Sequence, residues 1–407
     1  MANERWESPF EWSIPYFLFI KHFTELNSIY WSHVPAASTI EKKSLETLGS
    51  NDADPKKYFL IRDEDDRRMA PTYNEWKNHY REFSNYTRLN ILMLLSSCFE
   101  TYLRTIISLA IESKPGCIIG CPDAIDGVFL LKTREGYGDI NGSNYQFSNV
   151  IESICKGEWN NRALNYHKYF GSCPISSNDI TELDQLRQKR NQVGHHFGRT
   201  KQQYETPLSL TPEPAQRLSH DRLLKYFALV YRTVRKIDNH LHRNFVGSYD
   251  ICKYFIQCLQ DGRITSEFSG QQAKEFGKII GSEGLRASSE YYRNIVSYIG
   301  LNDKDDACRY GKKACISAIV RKLTENNITL IRDGHPTHFC EYHFNLFCKA
   351  FSMRGNEEFC VQKIRKQPEY FYSTKTIDLI VEKITEKPDT IIIELKEILR
   401  KRDGQPK

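Results

Sequence analysis

The chain lacks the features that mark a membrane span, a disulfide scaffold or a disordered polymer. No apolar run in its 407 residues approaches the roughly 18–20 residues needed to cross a bilayer. The longest N-terminal stretch, Ile14 to Ile20, is too short and follows an acidic start (Glu4, Glu7, Glu11). A secretory signal has a basic start and a small-residue cleavage site, and neither is present. The expected address is therefore cytoplasmic, with no membrane partner. Cysteine is too sparse for a disulfide framework, at 12 in 407, so the thiols read as reduced and mostly buried. Charge of one sign is also scarce. The net +6 is a small surplus over 57 basic and 51 acidic residues, which tolerates an anionic partner without demanding one. There is no low-complexity tract and no convincing long repeat. What remains is an ordinary globular composition, long enough for two or three domains.

Helical periodicity dominates what is there. The first seventy or so residues read as an irregular extension whose aromatics (Trp6, Phe10, Trp12, Tyr16, Phe17, Phe19) pack on a neighbouring domain. The acids Asp63, Glu64, Asp65 and Asp66, flanked by arginines, read as a solvated turn rather than metal ligands. From about Asn85 to Ser113, residues Leu92, Leu95, Phe99, Tyr102, Ile106 and Ala110 form one apolar stripe, which Pro115 and Gly116 stop. Shorter helices are expected over 146–156 and 159–170. The next helix has N-cap chemistry at Ser176-Ser177-Asn178-Asp179 and a left-handed stop at Gly198, and a long helix runs from about Ser219 to Phe245. Further helical spacing covers 250–261, 270–281, 287–300 and 304–325, with a possible strand at Ile328 to Ile331. The expected fold class is mainly α: an antiparallel helical bundle over 75–245, after an extension at 1–74, and a second, mostly helical region over 246–407.

The most informative string is LRQKRNQVGHHFGR, which contains Arg190-Asn191-Gln192-Val193-Gly194-His195 at the C-terminal end of an amphipathic helix. This hexapeptide resembles the RNxxxH signature of the HEPN superfamily. The order of helices over roughly 75–245 is similar too, including a long early helix with Phe99-Glu100-Thr101-Tyr102-Leu103. The resemblance implies a HEPN-like bundle and a metal-independent endoribonuclease, often a toxin or anti-phage effector, with an active site formed where two bundles pair. It also implies that Arg190 and His195 are catalytic, with Asn191 a polar supporting residue, and that neither cofactor nor metal is required.

The chemistry of those residue types agrees with that role. Cleaving RNA without a metal requires a base for the ribose 2′-hydroxyl, and histidine titrates near neutrality. It also requires stabilisation of phosphoryl charge, which suits a guanidinium fork. The expected products are a 2′,3′-cyclic phosphate and a 5′-hydroxyl, and DNA resists for want of the 2′-hydroxyl. Residues five apart on a helix lie about 140° apart, so Arg190 and His195 do not share a face, whereas Asn191 and His195 do. A homodimer with a composite site is therefore expected, or a pseudo-dimer within the chain. Gly194 costs about 1 kcal/mol of helix stability relative to alanine, which suggests close approach of another backbone. His195 and His196 sit in the last turn, where the helix dipole favours imidazolium. His196, Arg187, Lys189 and Arg199 are candidate phosphate contacts, and Glu100 a candidate orienting carboxylate. RNA is the expected partner, with a regulatory protein or nucleic-acid trigger acting through the C-terminal region. The competing reading is a catalytically silent helical module that binds RNA, a nucleotide or a protein.

Three other signals carry less weight. His335, His338, Cys340, His343 and Cys348 have zinc-ligand types without the paired spacing of a structural site, and Cys117 with Cys121 is half a site. Asp378 followed by Glu394-Leu395-Lys396 has the D…ExK spacing of the Mg²⁺-binding PD-(D/E)xK nucleases. However, Ile391, Ile392, Leu395, Ile398 and Leu399 fit a helical stripe better than a strand, and only eleven residues follow Lys396. That reading is set aside here.

Overall fold

A computed structural model describes residues 8–114, 117, 127–128, 148–199 and 213–300. Helix α1 (Ile14–Leu48) begins where the Ser13 hydroxyl accepts the Tyr16 amide, with a proline in the first turn. It ends at Gly49, whose φ of 68° places it in the left-handed region. The irregular extension expected for this stretch is thus a 35-residue helix. Helix α2 (Tyr73–Ser113) starts a dozen residues before the apolar stripe. Thr72 accepts the Glu75 amide there, and its first three turns are polar enough to hide the period. Between them, Asp63–Arg68 is a short 3₁₀ turn in which Lys56 pairs with Asp66 at 2.7 Å, as a solvated turn requires.

Helix α2 is the spine. Leu89, Leu92, Leu95, Phe99, Ile106 and Ala110 are buried along it, and α1 packs beside it through Phe19 and Tyr102. By length and composition alone α2 could cross a membrane, but half of its apolar window is buried against the other helices. Helices α3 (Ser148–Cys155), α4 (Trp159–Phe170), α5 (Ser177–His196) and α6 (His220–Leu241) complete the bundle. The Trp159 ring of α4 stacks on Phe99 of α2 at 5.5 Å. Helix α5 has the expected cap, with the Ser176 hydroxyl accepting the Asp179 amide at 3.3 Å. Asp179 in turn holds Arg232 and Lys236 of α6 at 2.7 and 2.8 Å. Burial pushes the Asp179 carboxyl up, but its bonds to Lys236, Arg232 and Ser176 outweigh that and hold it below the usual range.

After a π turn at His242–Val246 the chain continues through α7 (Tyr249–Gln260), α8 (Ser269–Ser282) and α9 (Ser289–Gly300). These pack onto the far end of α2, where Lys253 meets Glu112 at 2.6 Å, and their buried Phe255, Phe276 and Tyr292 join the same hydrophobic cluster. The N-terminus of α1 is pinned at this end by two buried carboxylates. Asp238 accepts the Ser13 amide, the Ser13 hydroxyl and the Tyr102 hydroxyl, while Asp250 accepts the Ile14 amide at 2.8 Å. The architecture is mainly α, with no strand among the described residues. The helix expected at 304–325, the strand at 328–331, the His335–Cys348 cluster and the Asp378…Lys396 set lie outside the described residues.

Candidate functional site

Helix α5 presents its C-terminal half to solvent and its apolar edge, Leu183 and Leu186, to the core. The residues singled out in sequence separate into three groups here. Arg190, Asn191 and Glu100 come together: the Arg190 guanidinium donates to Asn191 Oδ1 at 3.0 Å and to Glu100 Oε2 at 3.3 Å. Glu100 thus reaches the motif from α2. Arg190 Nε is buried without a partner. His195 stands apart. It is exposed, no hydrogen bond joins it to Arg190 among the described residues, and its ring lies 6.3 Å from that of His196.

The supporting cations differ in what holds them. Arg187 is spent within its own helix, forking onto Asp184 at 2.8 and 3.2 Å. The Asp184 carboxyl is held low chiefly by that bond. Lys189, by contrast, donates to the neutral Gln216 side chain at 3.3 Å, and Arg199 to the Glu213 backbone carbonyl at 2.6 Å. The close approach of another backbone expected at Gly194 is not what the fold shows. A Cβ there would meet the Met93 methyl of α2 at 3.1 Å, so the near neighbour is a side chain. The left-handed stop comes one residue earlier than expected, at Phe197 (φ 53°), and Gly198 (φ 74°) continues it.

Sequence reading missed Arg162. It is buried on α4 with its guanidinium 4.8 Å from the Trp159 ring centre, and Nε donates to the Gly157 carbonyl at 2.9 Å. Burial lowers its pKa while Glu100 opposes that, so Glu100 is flanked by Arg162 as well as Arg190. Nothing in the sequence marks a lone Arg on an amphipathic helix as buried. The six described cysteines are free, and burial pushes Cys98 and Cys155 up to about 11, so neither is a ready nucleophile. Among the described residues no cluster of His, Cys, Asp and Glu is fit to hold a metal.

Comparison with known proteins finds a similarity in a stretch that lies outside the described residues. Residues 303–396 match a family described as an EC042_2821-like restriction endonuclease-like domain. No curated relative and no solved structure matches the chain. The match overturns the HEPN resemblance: it points to a restriction endonuclease-like nuclease, in the third of the chain that the resemblance never reached. The toxin and HEPN-type ribonuclease expectations came with that resemblance and lose their support with it. There is a physical reason why the hexapeptide misled. Arg190 donates to both Asn191 and Glu100, and its bond to Glu100 clamps α5 to α2 with no substrate needed to account for it. Asp378 and Glu394-Leu395-Lys396 lie within the matched interval, which ends on Lys396. A short apolar run such as Ile391 to Ile393 fits strand or helix equally by period.

Proposed function

We propose that this chain is a divalent-metal-dependent nuclease acting on DNA, with its cleaving groups at Asp378, Glu394 and Lys396 and its helical body serving to engage the substrate. The observation that carries this reading is the coincidence of the 303–396 match with the D…ExK set. The donor chemistry fits. Two carboxylates offer hard oxygen ligands of the kind Mg²⁺ takes, so Asp378 and Glu394 would hold the ion. When bound, Mg²⁺ supplies Lewis-acid polarisation of the scissile phosphate and lowers the pKa of a coordinated water. Lys396 places a compact positive charge where the pentacovalent phosphorus gathers negative charge.

Purified full-length protein, plasmid DNA and a folded RNA, each incubated with Mg²⁺ or EDTA, test this directly. DNA cleavage in Mg²⁺ alone is expected, falling by about a hundredfold or more in Glu394→Ala or Lys396→Ala. Equal cutting by parent and variants defeats it.

A further inference from the structure

Around the C-terminal end of α5, several cations are held by neutral groups instead of carboxylates. Lys189 donates to the Gln216 amide oxygen, Arg199 to the Glu213 carbonyl, Arg222 to the Gln185 amide oxygen at 2.7 Å, and Arg88 to the Leu218 carbonyl at 2.5 Å. A neutral acceptor fixes a cationic side chain without cancelling its charge. These residues come from α2, α5, α6 and the 213–218 connection, yet they form one surface. Buried Asn85 of α2 holds the connection at both Gln216 and Leu218, and the Gln216 amide donates to the Gly198 carbonyl at 2.8 Å.

The charges crowd one another. Burial lowers the Lys189 ammonium and Arg222 lowers it further, while Arg88 is lowered by burial, against Tyr30, with Arg217 adding to the effect. Of the carboxylates nearby, Glu82 is taken by Arg217 and Asp184 by Arg187, and Glu213 and Asp221 are exposed. Between Gln185 and Arg199 the chain carries no acidic residue.

Phe197 is the second, independent observation. It is 70% exposed and holds a φ of 53°, a region where a bulky side chain is strained. Packing does not account for an aromatic kept in that conformation and pointed into solvent.

We propose that this surface binds a single nucleic-acid strand, with Lys189, Arg199 and Arg222 on successive phosphates and a base stacked on the Phe197 ring. The choice of a nucleic-acid partner rests on the nuclease reading, and the charge pattern and the exposed aromatic supply the rest. Base–aromatic stacking tolerates any sequence, and a groove of cations tracks the backbone, so affinity without strong sequence preference follows. The set differs from the sequence expectation: Arg187 drops out because Asp184 occupies it, and Arg222 and Phe197 enter.

The test uses full-length protein carrying Glu394→Ala, with fluorescence anisotropy of 20-residue oligo(dT) and oligo(U) strands over a range of salt, and strand integrity checked on gels. Lys189→Gln, Arg199→Gln and Arg222→Gln should each weaken binding and each lower the log–log salt slope by about 0.7. Phe197→Gly should weaken it about tenfold while raising the melting temperature, an opposition that a merely structural residue does not produce. Lys274→Gln on α8 should change neither quantity. The oligo(dT) and oligo(U) arms show whether the patch takes DNA, RNA or both. Binding unaffected by the α5 and α6 variants, or a blunt duplex of the same length bound as tightly as the strands, overturns the proposal. A chain that binds strands through this patch but cuts nothing in Mg²⁺ keeps the proposal and loses the nuclease reading. One that cuts DNA with patch variants binding normally does the reverse.

Discussion

Phe197 and His240 show how single side chains trade stability against other demands. A left-handed conformation costs a residue with a Cβ about 1–2 kcal/mol, and Phe197 recovers little of that because most of its ring is in water. Phe197→Gly is therefore expected to stabilise the fold by about 1 kcal/mol, read as a higher midpoint in urea unfolding. His240 is half-buried, with Nδ1 2.8 Å from the Tyr166 hydroxyl and Nε2 3.2 Å from the Ser172 hydroxyl. Burial lowers its pKa, so the folded state favours the neutral ring. Its contribution is complete above the ordinary histidine value of about 6.5 and is lost as pH falls through the lowered one. The thermal midpoint of the parent should drop between pH 7 and pH 5, and the drop should shrink in His240→Gln. Identical pH profiles would show that His240 is not the titrating group.

At the scale of elements, α5 is positioned by its two ends and by what lies across from it. Ser176 and Asp179 tie its start to Arg232 and Lys236 of α6, and the Gly198 amide closes its end on the Gln192 carbonyl at 3.0 Å. Gly194 sits in the last turn against the Met93 methyl of α2. Met93 ends in a flexible thioether that can yield by a few tenths of an ångström, so the helix propensity of alanine should win. Gly194→Ala is expected to raise stability by a few tenths of a kcal/mol, up to about 1, in urea denaturation. A loss of similar size would mean that Met93 is locked. The start of α1 was legible as Ser13-Ile14-Pro15, and that of α2 as Thr72 with Glu75 three residues on. Neither cap is followed by a visible period, because the stretches after them mix polar and aromatic residues too evenly.

For the described body as a whole, Asp238 and Asp250 join stretches far apart in the chain, holding the first residues of α1 against the α6–α7 corner. Asp238→Ala would leave the Ser13 amide, the Ser13 hydroxyl and the Tyr102 hydroxyl without their acceptor in a buried place. The expected cost is about 2–4 kcal/mol, with proteolysis at the freed start of α1 appearing before global unfolding. Unchanged stability would mean that α1 is held by its apolar face alone. The cation patch around Gln216 likewise exists only when α2, α5 and the 213–218 connection are assembled, since it draws its parts from distant stretches of chain.

Local rules acting over a few residues determined most of the helices in the bundle. Apolar spacing in α2 and α6, the serine cap of α5 and the Pro-Gly stop after Ser113 are all short-range signals, and they came through intact. Assembly decided which charges remain uncancelled. Arg187 and Lys189 are two residues apart on one helix. The partner of Arg187, Asp184, lies three residues away on that helix and is legible along the chain, whereas Lys189 meets a neutral amide on the 213–218 connection. Helix spacing marks the first pairing, but the neutral partner of Lys189 arrives only through the fold.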